Sequence, residues 1–325
     1  MAEKICMLSS KGGCGKTTTS LIFSKILAAC NKKVLLIDCD PATHGASCFL
    51  CDHVKNITDK ENVCFINDII QKSSVDDNAY KYIGRNADDV SKIMQISDVY
   101  FIPCDICEII DAPIAVYTGL IKHLVTKYLD SKFDYIIFDC QAGYNHLSNE
   151  LSEISDVLLF AAEDDTISKT ATDLIKGRLG NSIIKKKNYQ FINKCVYKDN
   201  DSQSNSDKDS KIFHNLSPIY HNDDIRNYFN EDAFVKLAIK DGYYLFKDFI
   251  EVAKQCIASS KDDIEALQID IERDIEEIQR AQKEEKNNKI QRLLFLGFFA
   301  ILLLILMLIG IFVPPSDAEA IALLT

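Results

Sequence analysis

The sequence predicts an α/β fold, doubly wound around a mostly parallel sheet, that is followed by a charged helix and one transmembrane helix. Three observations predict this order. Short apolar runs alternate with longer amphipathic stretches over residues 1–257, a glycine-rich loop follows the first apolar run, and residues 293–313 contain no charged side chain. The alternation is typical of βαβ units, in which helices cover both faces of a parallel sheet.

The predicted strands are short runs in which successive residues, rather than alternate ones, are apolar. This pattern indicates strands that are buried on both faces. We predict strands at residues 4–8, 34–38, 99–103, 135–139, 157–161 and 190–193. Crossover helices are predicted between them at 17–31, 113–128 and 168–179, and a polar loop is predicted at 199–211.

A loop of the phosphate-binding type follows the first predicted strand and opens the first predicted helix. Glycines let its backbone curl so that N–H groups converge on phosphate oxygens, and the helix N-terminus adds positive charge. Lys16 would neutralise the β- and γ-phosphates, and the Thr17 hydroxyl would bind Mg²⁺. The predicted nucleotide-binding residues of this loop are Lys11, Gly12, Gly13, Cys14, Gly15, Lys16, Thr17 and Thr18.

The extra lysine of this loop, Lys11, points to a known family. Together with the Asp-Cys-Asp-Pro run at 38–41, the strand that ends at Asp139 and the Phe-Ile-Asn-Lys run at 191–194, the loop resembles the ParA/MinD family of deviant Walker ATPases. The similarity extends over about residues 1–250. It implies a P-loop NTPase fold that binds ATP with Mg²⁺ and hydrolyses ATP to ADP and phosphate.

The resemblance also implies catalytic roles for three residues. Lys11 would reach across a homodimer interface to the nucleotide of the partner, Lys16 would neutralise phosphate charge, and Asp40 would orient the attacking water. Such roles fit phosphoryl transfer, in which positioning and charge neutralisation supply most of the catalysis. After Asp40 the chain has Ala-Thr-His at 42–44, where this family usually has Gln-Gly-Asn, so the rate of hydrolysis stays open.

Metal and base contacts are implied in the same way. Asp38 and Asp139 would hold Mg²⁺ through water, beside Thr17. Asn193 would contact the adenine base, and Pro218 lies in the loop that follows it.

Cysteines offer a second kind of candidate site. The chain has twelve of them, including the pairs Cys48–Cys51 and Cys104–Cys107. Free thiols in a reducing compartment and a metal site built from the two pairs are both compatible with this pattern.

The uncharged run at 293–313 predicts a membrane anchor. A helix of 21 residues spans about 30 Å, the thickness of the bilayer core. Basic residues outnumber acidic ones at 280–292, whereas 314–325 contains no basic residue. By the positive-inside rule, this difference leaves the preceding domain in the cytoplasm. We therefore predict an ATPase domain at 1–257, a charged helical stalk at 258–292, a single-pass tail anchor in the cytoplasmic (inner) membrane at 293–313 and a short extracytoplasmic tail at 314–325.

These features predict a membrane-anchored ATPase that acts as a nucleotide-driven dimerisation switch. ATP would lie at the homodimer interface, and the switch would recruit or position an unknown protein partner at the cytoplasmic face of the bilayer. A phosphotransferase like the bacterial tyrosine kinases and a non-hydrolysing, nucleotide-bound membrane scaffold are the alternatives. The net charge of −11 disfavours nucleic acid as a partner.

Overall fold

The computed structural model describes residues 1–52, 93–104, 119, 121–179, 186–195 and 213–312. It divides into two compact units, Met1–Gln268 and Ile269–Thr325. Three predictions lie wholly outside the described residues: the polar loop at 199–211, the tail at 314–325 and the position of Cys107. The first part of the helix predicted at 113–128 lies outside them as well.

The first unit is built on an eight-stranded sheet with the strand order β3-β4-β2-β5-β1-β6-β7-β8. All neighbouring strands are parallel except β3 and β4. This arrangement confirms the prediction of a mostly parallel α/β fold. The strands are β1 (Glu3–Ser9), β2 (Val34–Cys39), β3 (Met94–Ile96), β4 (Val99–Ile102), β5 (Tyr135–Cys140), β6 (Val157–Glu163), β7 (Lys187–Asn193) and β8 (His214–Asn215).

The centre of the sheet consists of strands that are buried on both faces. Every residue of β2 and β5 is buried, and all but the first residue of β1, as the continuous apolar runs predict. All six predicted strands are present. The sequence analysis missed β3 and β8, which have three and two residues and lie at the two edges of the sheet.

Helices cover the sheet and close one end of the first unit. They are α1 (Lys16–Ala29), α2 (Gly45–Phe49), α3 (His146–Ile154), α4 (Thr166–Leu179), α5 (Asp223–Tyr228), α6 (Glu231–Lys236) and α7 (Tyr243–Cys256). A π-helical turn lies at Val125–Leu129 and a 3-10 turn at Ala258–Ser260. Two of the predicted helices correspond to α1 and α4. The latter begins earlier than predicted because the Asp165 side chain accepts a hydrogen bond from the backbone N–H of Ser168 (2.7 Å) and so caps the helix.

The last helix, α8 (Lys261–Phe312), has 52 residues and includes both the predicted charged stalk and most of the uncharged run. Across the described residues, no helix combines the length and the apolar character that a membrane crossing requires. The predicted single-pass anchor and the localisation at the cytoplasmic (inner) membrane are therefore wrong. In the structure this run is not a separate element, because it continues the charged helix that begins at Lys261.

We expect Phe246→Ala to lower the free energy of unfolding by about 3–5 kcal/mol, because it leaves a cavity in a packed core. The Phe246 side chain is fully buried in α7, and its ring packs edge-on against Phe229 with the centroids 5.7 Å apart. The matched control is Tyr244→Ala on the same helix, where the side chain is 62% exposed, and its effect should stay within about 0.5 kcal/mol. Urea unfolding of both variants measures the difference, and equal losses would contradict this assignment of the core.

Candidate functional site

Several elements meet at the carboxyl edge of the sheet, where ligands bind in open α/β folds. A cavity of about 680 Å³ opens there. Its walls come from the loop between β1 and α1, from the ends of β2, β5 and β7, and from residues 219–229 and α7. The predicted site residues that line it are Gly12, Gly13, Gly15, Lys16, Thr17, Thr18, Asp40 and Asn193. The predicted residues outside this lining are Lys11, Cys14, Asp38, Asp139 and Pro218, although Ile219 and Tyr220 next to Pro218 do line the cavity.

The glycine-rich loop has a backbone that other residues would not tolerate at two positions. Gly13 and Gly15 have φ angles of +85° and +82°, in the left-handed region. A Cβ atom at Gly15 would also lie 2.0 Å from Nδ2 of Asn193. That nitrogen donates a hydrogen bond to the carbonyl oxygen of Cys14 (2.9 Å). The Asn193 side chain therefore joins the end of β7 directly to the loop, in the space that the absence of a side chain at Gly15 leaves open.

Lys16, Thr17 and Asp139 provide the groups that a Mg²⁺–phosphate complex requires. Lys16 is the first residue of α1, and only 7% of it is exposed. Asp139 is buried near the end of β5, where its Oδ1 accepts a hydrogen bond from Ser20 Oγ (3.1 Å). Its Oδ2 is buried and has no hydrogen-bond partner in the part of the chain that the structure describes.

A second oxygen lies close to this one. A Cβ atom at Gly45 would lie 2.7 Å from Thr17 Oγ1 and 3.6 Å from Asp139 Oδ2, so both oxygens border the same narrow gap beside that glycine. A hydroxyl and a carboxylate oxygen are ligands that Mg²⁺ prefers. The two neighbouring oxygens, one of them without a hydrogen-bond partner among the described residues, therefore fit the predicted Mg²⁺ site.

Two buried carboxylates lie side by side behind this gap. Asp38 on β2 and Asp139 on β5 are paired in the register of the sheet. Burial raises the pKa of Asp38 to about 6. Burial, together with the nearby charge of Asp38, raises the pKa of Asp139 to about 7. Asp38 accepts three hydrogen bonds, from the N–H (2.8 Å) and Oγ (2.7 Å) of Ser47 and from the N–H of Asp40 (3.0 Å). It therefore fixes the loop after β2, whereas Asp139 keeps one oxygen available.

Asp40 faces the cavity, but its carboxylate is engaged by its own loop. One oxygen accepts from the N–H groups of Ala42 (3.1 Å) and Thr43 (2.9 Å), and the other accepts from Thr43 Oγ1 (2.5 Å). The departure from the family pattern at 42–44 thus supplies the residues that hold Asp40. Nδ1 of the following His44 is buried and, among the described residues, has no partner.

Lys11 forms ion pairs within its own chain. Its Nζ lies 2.7 Å from Glu163 Oε2 and 2.7 Å from Asp165 Oδ2. Hydrogen bonds to Asp165 and Glu163 raise the pKa of Lys11 above its ordinary value. Glu163 also pairs through Oε1 with Lys194, at 2.7 Å. These ion pairs hold Lys11 at the rim of the site, and its role across a dimer interface stays a prediction.

The sequence analysis missed three residues of this site: Glu163, Asp165 and Lys194. The signal was present, because Glu-Asp-Asp directly follows the buried run of β6 and Lys194 directly follows β7. Charged residues at the carboxyl ends of parallel strands meet at one edge of the sheet.

The cysteine pairs do not come together as one described site. No disulfide joins two of the described cysteines, and Cys104 is buried while Cys48 is exposed. Cys51, Asp52 and Glu231 bring ligand atoms within 4.8 Å of one another. Exposed acidic groups are common without an ion, and the metal site built from both pairs stays a prediction because Cys107 lies outside the described residues.

Comparisons with known proteins agree with this geometry. A family model described as "AAA domain" matches residues 2–190. The chain is 27% identical over 172 residues to the sporulation initiation inhibitor protein Soj of Bacillus subtilis (strain 168). This alignment covers 50% of this chain and 59% of that protein. The chain is 31% identical over 146 residues to the septum site-determining protein MinD of the same organism, covering 44% of this chain and 46% of that protein. The chain thus spans about half the length of these curated relatives.

A solved structure shows the same fold. It is a putative plasmid partition protein from Borrelia burgdorferi B31 bound to AMPPNP, with a TM-score of 0.55 and 19% identity, and the match covers 78% of this chain and 98% of that chain. Together with the two curated relatives, this fold supports the resemblance to ParA/MinD-type proteins.

We expect Asp139→Asn to stabilise the nucleotide-free protein and to abolish its stabilisation by Mg²⁺ with ATP. Because the pKa of Asp139 is raised from 3.8 to about 7, the folded protein binds this proton more tightly than the unfolded chain does. The free energy of unfolding of the metal-free wild type should therefore fall as the pH rises through about 7. The asparagine removes this loss, which is on the order of a few kcal/mol at alkaline pH.

Denaturant unfolding in EDTA between about pH 5 and pH 8 measures this effect. The control is Asp173→Asn, whose side chain is 72% exposed and which should change neither the pH profile nor the response to Mg²⁺. A less stable Asp139→Asn protein at alkaline pH would contradict the assignment of a buried carboxylate with a raised pKa.

Proposed function

This chain belongs to the AAA domain family, and on that premise we propose that it is a Mg²⁺-dependent ATPase whose nucleotide cycle switches it between a monomer and a homodimer. The dimer would recruit or position a partner protein. One observation carries the proposal: the unpartnered Asp139 oxygen borders the gap beside Thr17, at the foot of a glycine-rich loop that opens helix α1. Members of the ParA/MinD type are P-loop ATPases, which supports nucleotide hydrolysis in general.

The loop would bind the phosphates of ATP, and the cavity would bind its base. The first N–H groups of α1 have no acceptor within the helix, so they are available to phosphate oxygens, and the buried ammonium of Lys16 would neutralise the β- and γ-phosphates. Ile219, Ile225 and Phe229 also line the cavity and would cover the base. This polar and apolar division fits a nucleoside triphosphate.

Mg²⁺ would be held by Thr17 and Asp139, with Asp38 behind them. The ion would supply positive charge to the β- and γ-phosphate oxygens. Asp38 already accepts three hydrogen bonds, so its proposed role is to act on the ion through water and to keep the loop after β2 in place.

Asp40 would orient the attacking water once nucleotide is bound. Its carboxylate lines the cavity, but Thr43 occupies both of its oxygens in this structure. We therefore expect slow hydrolysis unless nucleotide or a partner draws Asp40 away from Thr43. The same contacts favour a second candidate, a switch that binds ATP and scarcely hydrolyses it.

Dimerisation would require Lys11 to exchange its partners. In the described chain it is paired with Glu163 and Asp165, and in the proposed dimer it would leave them for the phosphates of the other subunit's nucleotide. The exchange keeps the ammonium paired with negative charge throughout. It also makes the dimer depend on ATP, because the Lys11 ammonium would leave Glu163 and Asp165 only when phosphate oxygens replace them.

We expect Asp40→Ala to retain ATP binding and to accumulate as an ATP-bound dimer, because binding groups stay intact while the water loses its positioning residue. Loss of a positioned acid–base group lowers turnover by about 100-fold or more. Phosphate release and light scattering with ATP measure turnover and mass. Lys16→Ala is the matched control, since it should bind no ATP and stay monomeric. Wild-type turnover in Asp40→Ala would refute the role of Asp40, and wild-type turnover that is itself undetectable would favour the second candidate.

We expect Glu163→Gln to strengthen the ATP-dependent dimer, because it removes one of the two carboxylates that Lys11 must leave. An exposed ion pair contributes little, so the dimer dissociation constant should fall about twofold to fivefold. Glu150→Gln is a matched control, since the Lys122–Glu150 pair has a lysine that is 37% exposed, as Lys11 is. Sedimentation equilibrium with ATP in the Asp40→Ala background measures both variants. A weaker dimer in Glu163→Gln would show that Glu163 contributes to the interface.

A further inference from the structure

The end of β7 holds two successive carbonyl groups of the glycine-rich loop. Asn193 Nδ2 donates to the carbonyl oxygen of Cys14 (2.9 Å), and Lys194 Nζ donates to the carbonyl oxygen of Gly13 (2.5 Å). A third carbonyl, that of Gly15, accepts from the N–H (2.9 Å) and Oγ1 (2.8 Å) of Thr19. Three consecutive peptide groups of the loop are therefore fixed through their oxygens.

Fixing these oxygens also fixes the N–H groups of the same peptide units. The described chain has no cis peptide bond, and in a trans peptide the N–H points opposite to the C=O. The carbonyls of Gly13, Cys14 and Gly15 share their peptide planes with the N–H groups of residues 14, 15 and 16. The contacts at the carbonyls of residues 13 and 14 thus turn the N–H groups of residues 14 and 15 away from the end of β7. The contacts of Thr19 with the third carbonyl turn the N–H of Lys16 outwards from the start of α1, so the three N–H groups are available to a phosphate.

Asn193 and Lys194 are themselves joined into one unit. Asn193 Oδ1 accepts a hydrogen bond from the N–H of Lys194 (2.9 Å), and Lys194 has a φ of +58°. Lys194 Nζ is also paired with Glu163 Oε1 at 2.7 Å. Only 6% of Asn193 is exposed, so its amide oxygen and one of its amide hydrogens are committed to protein contacts within the core.

We propose that Asn193 and Lys194 form a carbonyl clamp that positions the loop for the triphosphate, so that both are positioning residues whose effect on affinity does not depend on the base. This inference rests on the proposed function of nucleotide binding at the same site. It differs from the role in adenine contact that the sequence predicts for Asn193. Reading a base and holding the loop have opposite consequences for nucleotide specificity, and this allows a direct test.

The first variant is Asn193→Asp, which keeps the size of the side chain and replaces the donor towards Cys14 with an acceptor. Dissociation constants are measured with Mg²⁺ for ATP, GTP and inorganic triphosphate. The carbonyl clamp predicts that all three ligands weaken by a similar factor of about tenfold, the value of a lost hydrogen bond. The ratio of the ATP and GTP constants should stay within about twofold of the wild-type ratio. Unchanged binding of inorganic triphosphate, with ATP weakened to the level of GTP, would overturn the proposal.

The second variant is Lys194→Met, which keeps the proposal testable if Asn193→Asp does not fold. The Lys194 side chain is exposed, so we expect the folded protein to tolerate this change. Its control is Lys187→Met at the start of β7, because Lys194 and Lys187 are 45% and 48% exposed and each pairs with one glutamate. Lys194→Met should weaken inorganic triphosphate, Lys187→Met should not, and Lys194→Arg should recover most of the affinity. A Lys194→Met protein that binds all three ligands as the wild type does overturns the clamp.

Thermal unfolding without nucleotide separates positioning from a general structural role. A merely structural contact would lower the melting temperature and leave the affinity of the folded protein unchanged, and that result also overturns the proposal. Wild-type protein that binds none of the three ligands would instead remove the proposed function, and the clamp with it. Wild-type protein that binds ATP beside variants that bind equally well would remove the clamp alone.

Discussion

The rest of the site depends on the close contact between Gly15 and the end of β7. Because Gly15 has no side chain, the amide of Asn193 reaches the carbonyl of Cys14 directly, and helix α1 begins at the next residue. A larger residue at this position would be strained by the positive φ and would overlap with the Asn193 amide. Lys16 and Thr17 belong to the first turn of α1, so their positions relative to Asp139 are set by this contact. The position of Gly15 against the sheet therefore determines where the proposed phosphate-binding residues lie.

Charge is distributed unevenly around this contact, and its unevenness is informative. Behind the loop lie two buried carboxylates near the buried Lys16, and Asp139 Oδ2 has no hydrogen-bond partner among the described residues. At the rim lie two lysines whose charges are matched by carboxylates. Negative charge is therefore in excess in the interior and balanced at the rim. A nucleotide with its metal would change both regions, since the metal compensates Asp139 and the phosphates compete with Glu163 and Asp165 for Lys11.

Much of this arrangement could be predicted from the sequence. The six longer strands, α1 and the loop follow from apolar runs and glycine spacing, because those signals are local. The edge strands β3 and β8 could not be predicted, since two or three residues carry no pattern. The ion pairs of Lys11 depend on residues about 150 positions away in the chain, and only the sheet order brings them together. The anchor prediction was wrong for a different reason, because it rested on the composition of residues 293–313 alone.

The two carboxylate oxygens of Asp165 bind two different neighbours, and this determines how quickly Lys11 can leave its ion pair. Oδ1 accepts the N–H of Ser168 and caps α4, while Oδ2 pairs with Lys11. Departure of the lysine therefore leaves the cap in place, and no backbone hydrogen bond of α4 has to break. Rotation of an exposed side chain takes picoseconds to nanoseconds, whereas local unfolding takes microseconds or longer. Release of Lys11 would accordingly be too fast to limit the proposed dimerisation.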